Sequence, residues 1–188
     1  TGDWSCKGTL GDVTPGDIGQ IDGLVEDFQE DTPVAGANVR IWTDNDPSGA
    51  GGSALEATTD SDGRFSLPSG SIQSCTPFAA RVWTESEPPE TYQTYQVNIV
   101  VAGEPPFSGP FSSFAYSTSQ LLPLTVGVEP EPAKGIATGR LTDCNGEPIA
   151  NAEASVGSID WETGTVTEAE GYAMRFYEDE DPSYDQQW

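Results

Sequence analysis

The sequence has no histidine and a single methionine, and its seven basic residues face 31 acidic ones, giving a net charge of −24 over 188 residues. The missing histidine removes the usual general base of nucleophilic catalysis and the imidazole ligand of the common zinc sites. So few basic residues leave a negative field that repels phosphate backbones and anionic lipid. Nucleic acid and membrane surfaces therefore do not fit as partners, whereas cations do, and solubility in a crowded or salty exterior accounts for the charge without any partner. No run approaches the ~18 consecutive apolar residues of a membrane-crossing helix, so no membrane insertion of that kind is expected. The chain starts at Thr1 without Met or a signal-like segment, and we expect a processed or trimmed soluble product, extracellular or at the cell surface.

Cysteine is scarce too. Cys6, Cys75 and Cys144 lack the short paired spacing of zinc ligands. In an exported protein they suggest one disulfide and one residue left over. Cys6 with Cys75 is the preferred pair because both precede strand-like runs in the first half, but three pairings stay open, since a sequence measures no distances.

What is plentiful is punctuation, with 21 Gly and 15 Pro among 35% apolar residues. Between these breaks the apolar residues alternate. Val39 and Ile41 alternate with Arg40 and Trp42, and Phe65 and Leu67 flank Ser66. Tyr95, Val97, Ile99 and Val101 fall on one face, as do Leu122, Leu124, Val126 and Val128. No amphipathic helix is expected. Short strands with one apolar face each predict an all-β fold of antiparallel sheets packed as an Ig-like β-sandwich.

Composition breaks at residues 129–134, where Pro and Glu alternate as an extended connector, so a first sandwich is expected over 1–128 and a second over 135–188. The second stretch repeats the first. "GLVED" at 23–27 matches "GRLTD" at 139–143, and "PVAGANV" at 33–39 matches "PIANAEA" at 148–154, at spacings equal to within one residue. "TTDSDGRFSL" at 58–67 has a looser counterpart in "TVTEAEGYAM" at 165–174.

Gly23, Val25 and Asp27, then Pro33 to Val39, then Thr59 to Leu67 form a pattern that resembles the carboxypeptidase regulatory-like family, relatives of the Cna B-type and transthyretin-like (prealbumin-like) sandwiches. The match is strong over 20–70 and weak over 135–176, where Asn151 and Ala154 depart from it. The "GDWSC" opening and "DCNGEPIANA" also resemble stretches of secreted or surface proteins of myxobacterial type. The resemblance implies fold far more than activity. Residues 135–188 suffice for about four or five strands, short of the usual seven, so an open sheet edge is expected, to be filled by further chain or by a neighbouring subunit.

Candidate sites follow from residue type. In "TDSDGRF", Gly63 can adopt positive φ and the Asp side chains can bond the turn's own amides. The competing use is a calcium site of Asp60 and Asp62 with Asp44 and Asp46, although no EF-hand pattern is present. Lys7 and Lys134 are the only lysines, and the resemblance offers Lys134 as a partner for an intramolecular amide bond, against the plainer reading of an exposed charge. The acidic runs Glu168 with Glu170 and Glu178 to Asp181 read as solvated faces rather than paired catalytic carboxylates. Trp42 and Trp83 lie opposite their strands' apolar residues and are candidates for stacking on carbohydrate. Trp4 and Trp188, near the chain ends, are candidates for an assembly interface. The expectation is a non-enzymatic structural protein, a spacer, adhesin segment or filament subunit that joins other subunits by strand complementation. It needs no cofactor, calcium being the one candidate, and its alternative role is a carbohydrate-binding accessory module.

Overall fold

A computed structural model describes residues 16–49, 54–86, 89–101, 104–125, 127–129, 135–137, 156–160, 165–171, 176–178 and 181–183. The chain divides into one unit of Asp12–Gln120 and another that takes in Leu121–Trp188 with Thr1–Gly11. The Pro/Glu connector expected at 129–134 lies outside the described residues except for Glu129.

The first unit is a sandwich of two four-stranded sheets. Its strands are β1 (Ile18–Asp27), β2 (Asn38–Trp42), β3 (Leu55–Thr58), β4 (Arg64–Gln73), β5 (Phe78–Trp83), β6 (Thr91–Tyr92), β7 (Thr94–Ile99) and β8 (Phe107–Ala115). One sheet has the order β4-β1-β8-β6 and the other β3-β2-β5-β7. All pairings are antiparallel except β1 with β8, which run parallel from Ile21↔Phe107 to Asp27↔Ser113. A parallel pair needs a long crossover. Here the chain between them builds most of both sheets, a departure from the purely antiparallel expectation.

Alternation places the core. Every second residue of β1 is buried, and Ile21 and Val25 are fully enclosed. Val39 and Ile41 of β2, Phe65 and Leu67 of β4, Phe78 and Val82 of β5, and Phe107 and Phe111 of β8 close over them. Each such side chain contributes about 1.5–3 kcal/mol through removal from water. Gly23, the first residue of the family-like pattern, sits beneath the edge-on pair Phe65 and Phe111, whose centroids are 5.2 Å apart. A Cβ there would lie 2.2 Å from Phe65 Cε1, so the rings reach the backbone only because the residue is glycine.

Asp27, which ends the same pattern, is 6% exposed. Its Oδ1 accepts from the amides of Gln29 and Glu30 at 3.0 and 3.1 Å, and its Oδ2 accepts from the Ala115 amide at 3.0 Å. The carboxylate thus satisfies a tight turn and ties the ends of β1 and β8 together.

Two strand expectations are corrected. Tyr95 and Val97 do not share a face with Ile99 and Val101: the first two are 49% and 53% exposed, Ile99 packs on the core and Val101 is 9% exposed. Asn98 has φ +59° and the β5–β7 register shifts between Phe78 and Ala80, so one extra residue reverses which side faces inward. Leu122 and Leu124 also lie on no strand, because Tyr116–Thr125 form helix α1, and Val126 lies outside the described residues. The helix ends in a Schellman motif. Gly127, at φ +68°, donates its amide to Leu124 O, and the Val128 amide bonds Pro123 O.

Among its described residues the second unit holds two two-stranded antiparallel sheets, β9 (Gly157–Asp160) with β10 (Thr165–Glu168), and β11 (Phe176–Glu178) with β12 (Asp181–Ser183). The first of these has the same four antiparallel pairs as the β2–β3 ladder, although the sequence repeat sets residues 153–157, rather than β9, against β2. Asn38–Ile41 pair with Thr58–Leu55, and the Thr59 amide bonds Ala37 O at 2.9 Å. Gly157–Asp160 pair with Glu168–Thr165, and the Ala169 amide bonds Val156 O at 2.7 Å. Each ladder leads into a positive-φ glycine, Gly63 at +72° and Gly171 at +70°. The fold is all-β and of sandwich type.

Candidate functional site

The outer face of the β3-β2-β5-β7 sheet collects the aromatic and basic residues that its inner face excludes. The sequence repeats Arg-apolar-Trp twice, as Arg40-Ile41-Trp42 and Arg81-Val82-Trp83. Period-two geometry sends Ile41 and Val82 inward and the flanking residues outward. Since β2 and β5 are antiparallel, Arg40 faces Arg81 while the two Trp fall toward opposite ends, Trp42 opposite Ala79 and Trp83 opposite Asn38.

One row therefore reads Glu56, Arg40, Arg81, Tyr95 across four strands. Glu56 accepts from Arg40 Nε at 2.8 Å and also from its terminal nitrogen. Arg81 instead meets rings. Its guanidinium carbon lies 4.2 Å from the Trp83 ring centroid and 5.7 Å from that of Tyr95, and Arg40 reaches within 5.6 Å of Trp83. Arg81 Nε is buried without a hydrogen-bond partner. The stacked cation fixes the orientation of the indole, and cation–π attraction partly offsets the unmet bond.

Trp83 is half-buried and also lines a groove of about 300 Å³ at the exit of β5. Tyr92 and Pro89 supply further apolar surface, with Glu85, Ser86 and Gln93 as polar groups. The stem of this connection is pinned, because the Thr91 amide donates to Thr84 Oγ1 and the Glu90 amide to Ser86 Oγ, each at 3.0 Å. Tyr92 in turn stacks on Tyr116, with centroids 5.1 Å apart and planes at 20°.

Trp42 requires a correction. It lies on the outer face as expected, yet is only 6% exposed. Its ring stacks on Tyr95 at 6.3 Å and 17°, and a Cβ at Gly49 in the following loop would be 3.7 Å from its Nε1. Asn45 of that loop exchanges hydrogen bonds with Asn98, donating from Nδ2 to Asn98 Oδ1 and accepting the Asn98 amide on Oδ1. The loop is fastened over Trp42, which is a packing residue and offers no open stacking surface.

The four calcium candidates are not brought together. Asp44 and Asp46 follow β2, whereas Asp60 and Asp62 follow β3, so the pairs lie at opposite ends of one antiparallel ladder. Asp60 Oδ1 accepts the amides of Asp62 and Arg64, both at 2.9 Å, with the Arg64 amide the main cause of its lowered pKa. Asp46 Oδ1 accepts the Ser48 amide, and hydrogen bonding to Ser48, first by its side chain, lowers that carboxyl as well. Gly63 has the positive φ expected of it. The acidic turns bond themselves, and no group of three or more metal-capable side chains occurs among the described residues.

Cys75 is half-buried, at φ +59°, with no disulfide among the described residues. Cys6, Cys144, Trp4, Trp188, Lys7 and Lys134 lie outside them. Glu168 and Glu170 are exposed, and Glu178 pairs with Asp181 across β11 and β12. Sequence reading missed Arg81, Tyr92 and Gln93. The doubled Arg-apolar-Trp was the available signal for the first, while the other two depend on how the β5–β6 connection folds.

No family model and no curated protein matches the chain. Among solved structures, the crystal structure of a 9R-lipoxygenase from Cyanothece PCC8801 aligns at 15% identity and a TM-score of 0.26, over 51% of this chain and 16% of that one. A likeness that slight bears on neither fold nor activity.

Proposed function

We propose that the chain is a non-enzymatic structural protein of the cell exterior, a spacer, adhesin segment or filament subunit, whose second unit is completed by a β-strand from a neighbouring copy. The observation that carries this reading is the apolar surface left uncovered at the β9–β10 ladder, where Val156 and Val166 are 42% and 56% exposed. β2 is flanked by β3 and β5. β9 pairs with β10 in a four-pair antiparallel ladder like that of β2 with β3. An incoming strand would occupy the place that β5 takes in the first unit, pairing antiparallel to β9.

Two further features agree. The two strands described there are a marginal sheet by themselves. In the first unit, by contrast, the bulge at Asn98 and its bonds to Asn45 blunt the β7 edge. The chain ends, Thr1 to Leu10 or the region of Trp188, are the proposed donors, with Trp4 and Trp188 as anchors. Kinship with carboxypeptidase regulatory-like domains is part of the proposal, supported by the packing roles of Gly23, Val25, Asp27 and Gly63. The absence of histidine from the whole sequence supports the non-enzymatic reading.

Light scattering over a concentration series, with negative-stain electron microscopy, tests the assembly. The wild type forms oligomers or filaments, and Ser158→Lys, which places a charge on β9 itself, shifts it toward monomer. A wild type that stays monomeric at every concentration while its second unit is folded refutes strand complementation.

A further inference from the structure

The groove at the exit of β5 belongs to the first unit, and its chemistry is that of a ligand site. Among the described residues its apolar surface comes from Trp83, Tyr92 and Pro89, and its polar groups include amide, hydroxyl and carboxylate, from Gln93, Ser86 and Glu85. We infer that this groove binds one ring of a neutral saccharide, stacked on Trp83 and held through its hydroxyls by Gln93 and Glu85.

Three observations select that class. A pyranose presents a flat face of C–H groups and a rim of hydroxyls, which suits an indole beside groups that both donate and accept. A volume of about 300 Å³ fits a single ring better than a long chain. The net charge of −24 works against a polyanionic glycan, and Arg81, the nearest cation, is stacked on Trp83 itself. That stacking also prepares the platform: the indole is held by Arg81, and Thr84 and Ser86 fix the groove's stem through the amides of Thr91 and Glu90. Less ordering then remains to be done on binding.

The test uses the full chain and four probes, cellohexaose, xylohexaose, mannohexaose and maltohexaose, with polygalacturonate as the anionic comparison. Amide chemical shifts and tryptophan fluorescence are followed to ~10 mM probe, a range that captures the weak affinities of single-ring sites. At least one neutral probe is expected to shift the resonances of residues 83–86 and 91–93. Gln93→Ala and Glu85→Gln, both on the groove's polar side, are expected to weaken binding about tenfold with the melting temperature unchanged. Trp83→Ala abolishes binding but releases Arg81, so the two polar variants decide the case. No shift with any neutral probe, binding that ignores both polar variants, or a preference for polygalacturonate would each overturn the inference. The oligomeric state is read separately, so failure here leaves strand complementation untouched.

Discussion

Asp27→Asn exchanges one oxygen for an NH2 group and tests whether the buried carboxylate holds β1 to β8. Asn can keep Oδ1 on the amides of Gln29 and Glu30, but its nitrogen then faces the Ala115 amide, donor against donor. One charge-assisted bond is lost, at about 1.5–3 kcal/mol, and the two that remain become neutral bonds of about 1 kcal/mol each. Removing a charge from a site only 6% exposed recovers part of that through relieved desolvation. A net loss of about 2–3 kcal/mol is expected for Asn and about 4 kcal/mol for Ala, which leaves all three donors without an acceptor. At ~4–8 °C per kcal/mol for a unit of this size, Asp27→Asn lowers the melting temperature by roughly 10–20 °C. The assay is thermal unfolding followed by near-UV circular dichroism, to which Trp42 and Trp83 of the first unit contribute. A variant melting within ~2 °C of wild type would mean that desolvation cancels the three bonds, and the clamp would be no stabilising device.

Gly23→Ala drives a Cβ to 2.2 Å from Phe65 Cε1, and a loss of about 3 kcal/mol in urea unfolding is expected; Phe65→Leu in the same chain should recover part of it through coupling. Ser113 is 0% exposed and its hydroxyl has no partner, so Ser113→Ala should stabilise by about 1 kcal/mol in the same assay. Asp60 has a folded pKa below its ordinary value of 3.8, so its contribution is complete above that pH and disappears as pH falls through the folded value. The gap in melting temperature between wild type and Asp60→Asn should therefore be present at pH 7 and close as pH is taken well below 3.8.

The parts of this fold legible in the sequence are those where one residue's period decides the outcome. Ile21 and Val25, Val39 and Ile41, and Phe65 and Leu67 all point inward because strict alternation on a half-buried strand leaves no other choice. Alternation failed where something non-periodic intervened. Asn98 inserts one residue and reverses β7, and no property of the string "QVNIV" marks the bulge except an Asn, a residue that tolerates left-handed φ. Near the end of α1 the adjacent Leu121 and Leu122 already break strict alternation, and Gly127 was the cue that should have counted, since a glycine after an apolar run closes a Schellman motif. The outer face was half legible. Period two put both Trp outside, but whether a loop then covers Trp42 and leaves Trp83 beside a groove rests on Asn45 meeting Asn98, a contact across 53 positions that local pattern does not encode.

That loop also marks a difference between the first unit and the joint proposed in the second. In the first unit the link from β2 to β3 runs through residues 43–54, long enough for Asn45 to reach the β7 bulge and fasten that side of the sheet. In the second, the link from β9 to β10 is four residues, 161–164, against twelve. A four-pair ladder followed by a positive-φ glycine thus lies in one case within a four-stranded sheet whose far edge is guarded, and in the other, among the described residues, in a two-stranded sheet. Loop length, with the strands themselves left alone, is therefore the variable to change. Grafting residues 43–54 between β9 and β10 is expected to leave the ladder intact and to hinder strand addition beside it, lowering the oligomer mass seen in light scattering. If the grafted chain assembles as the wild type does, the open edge is elsewhere and β9 is not the joint.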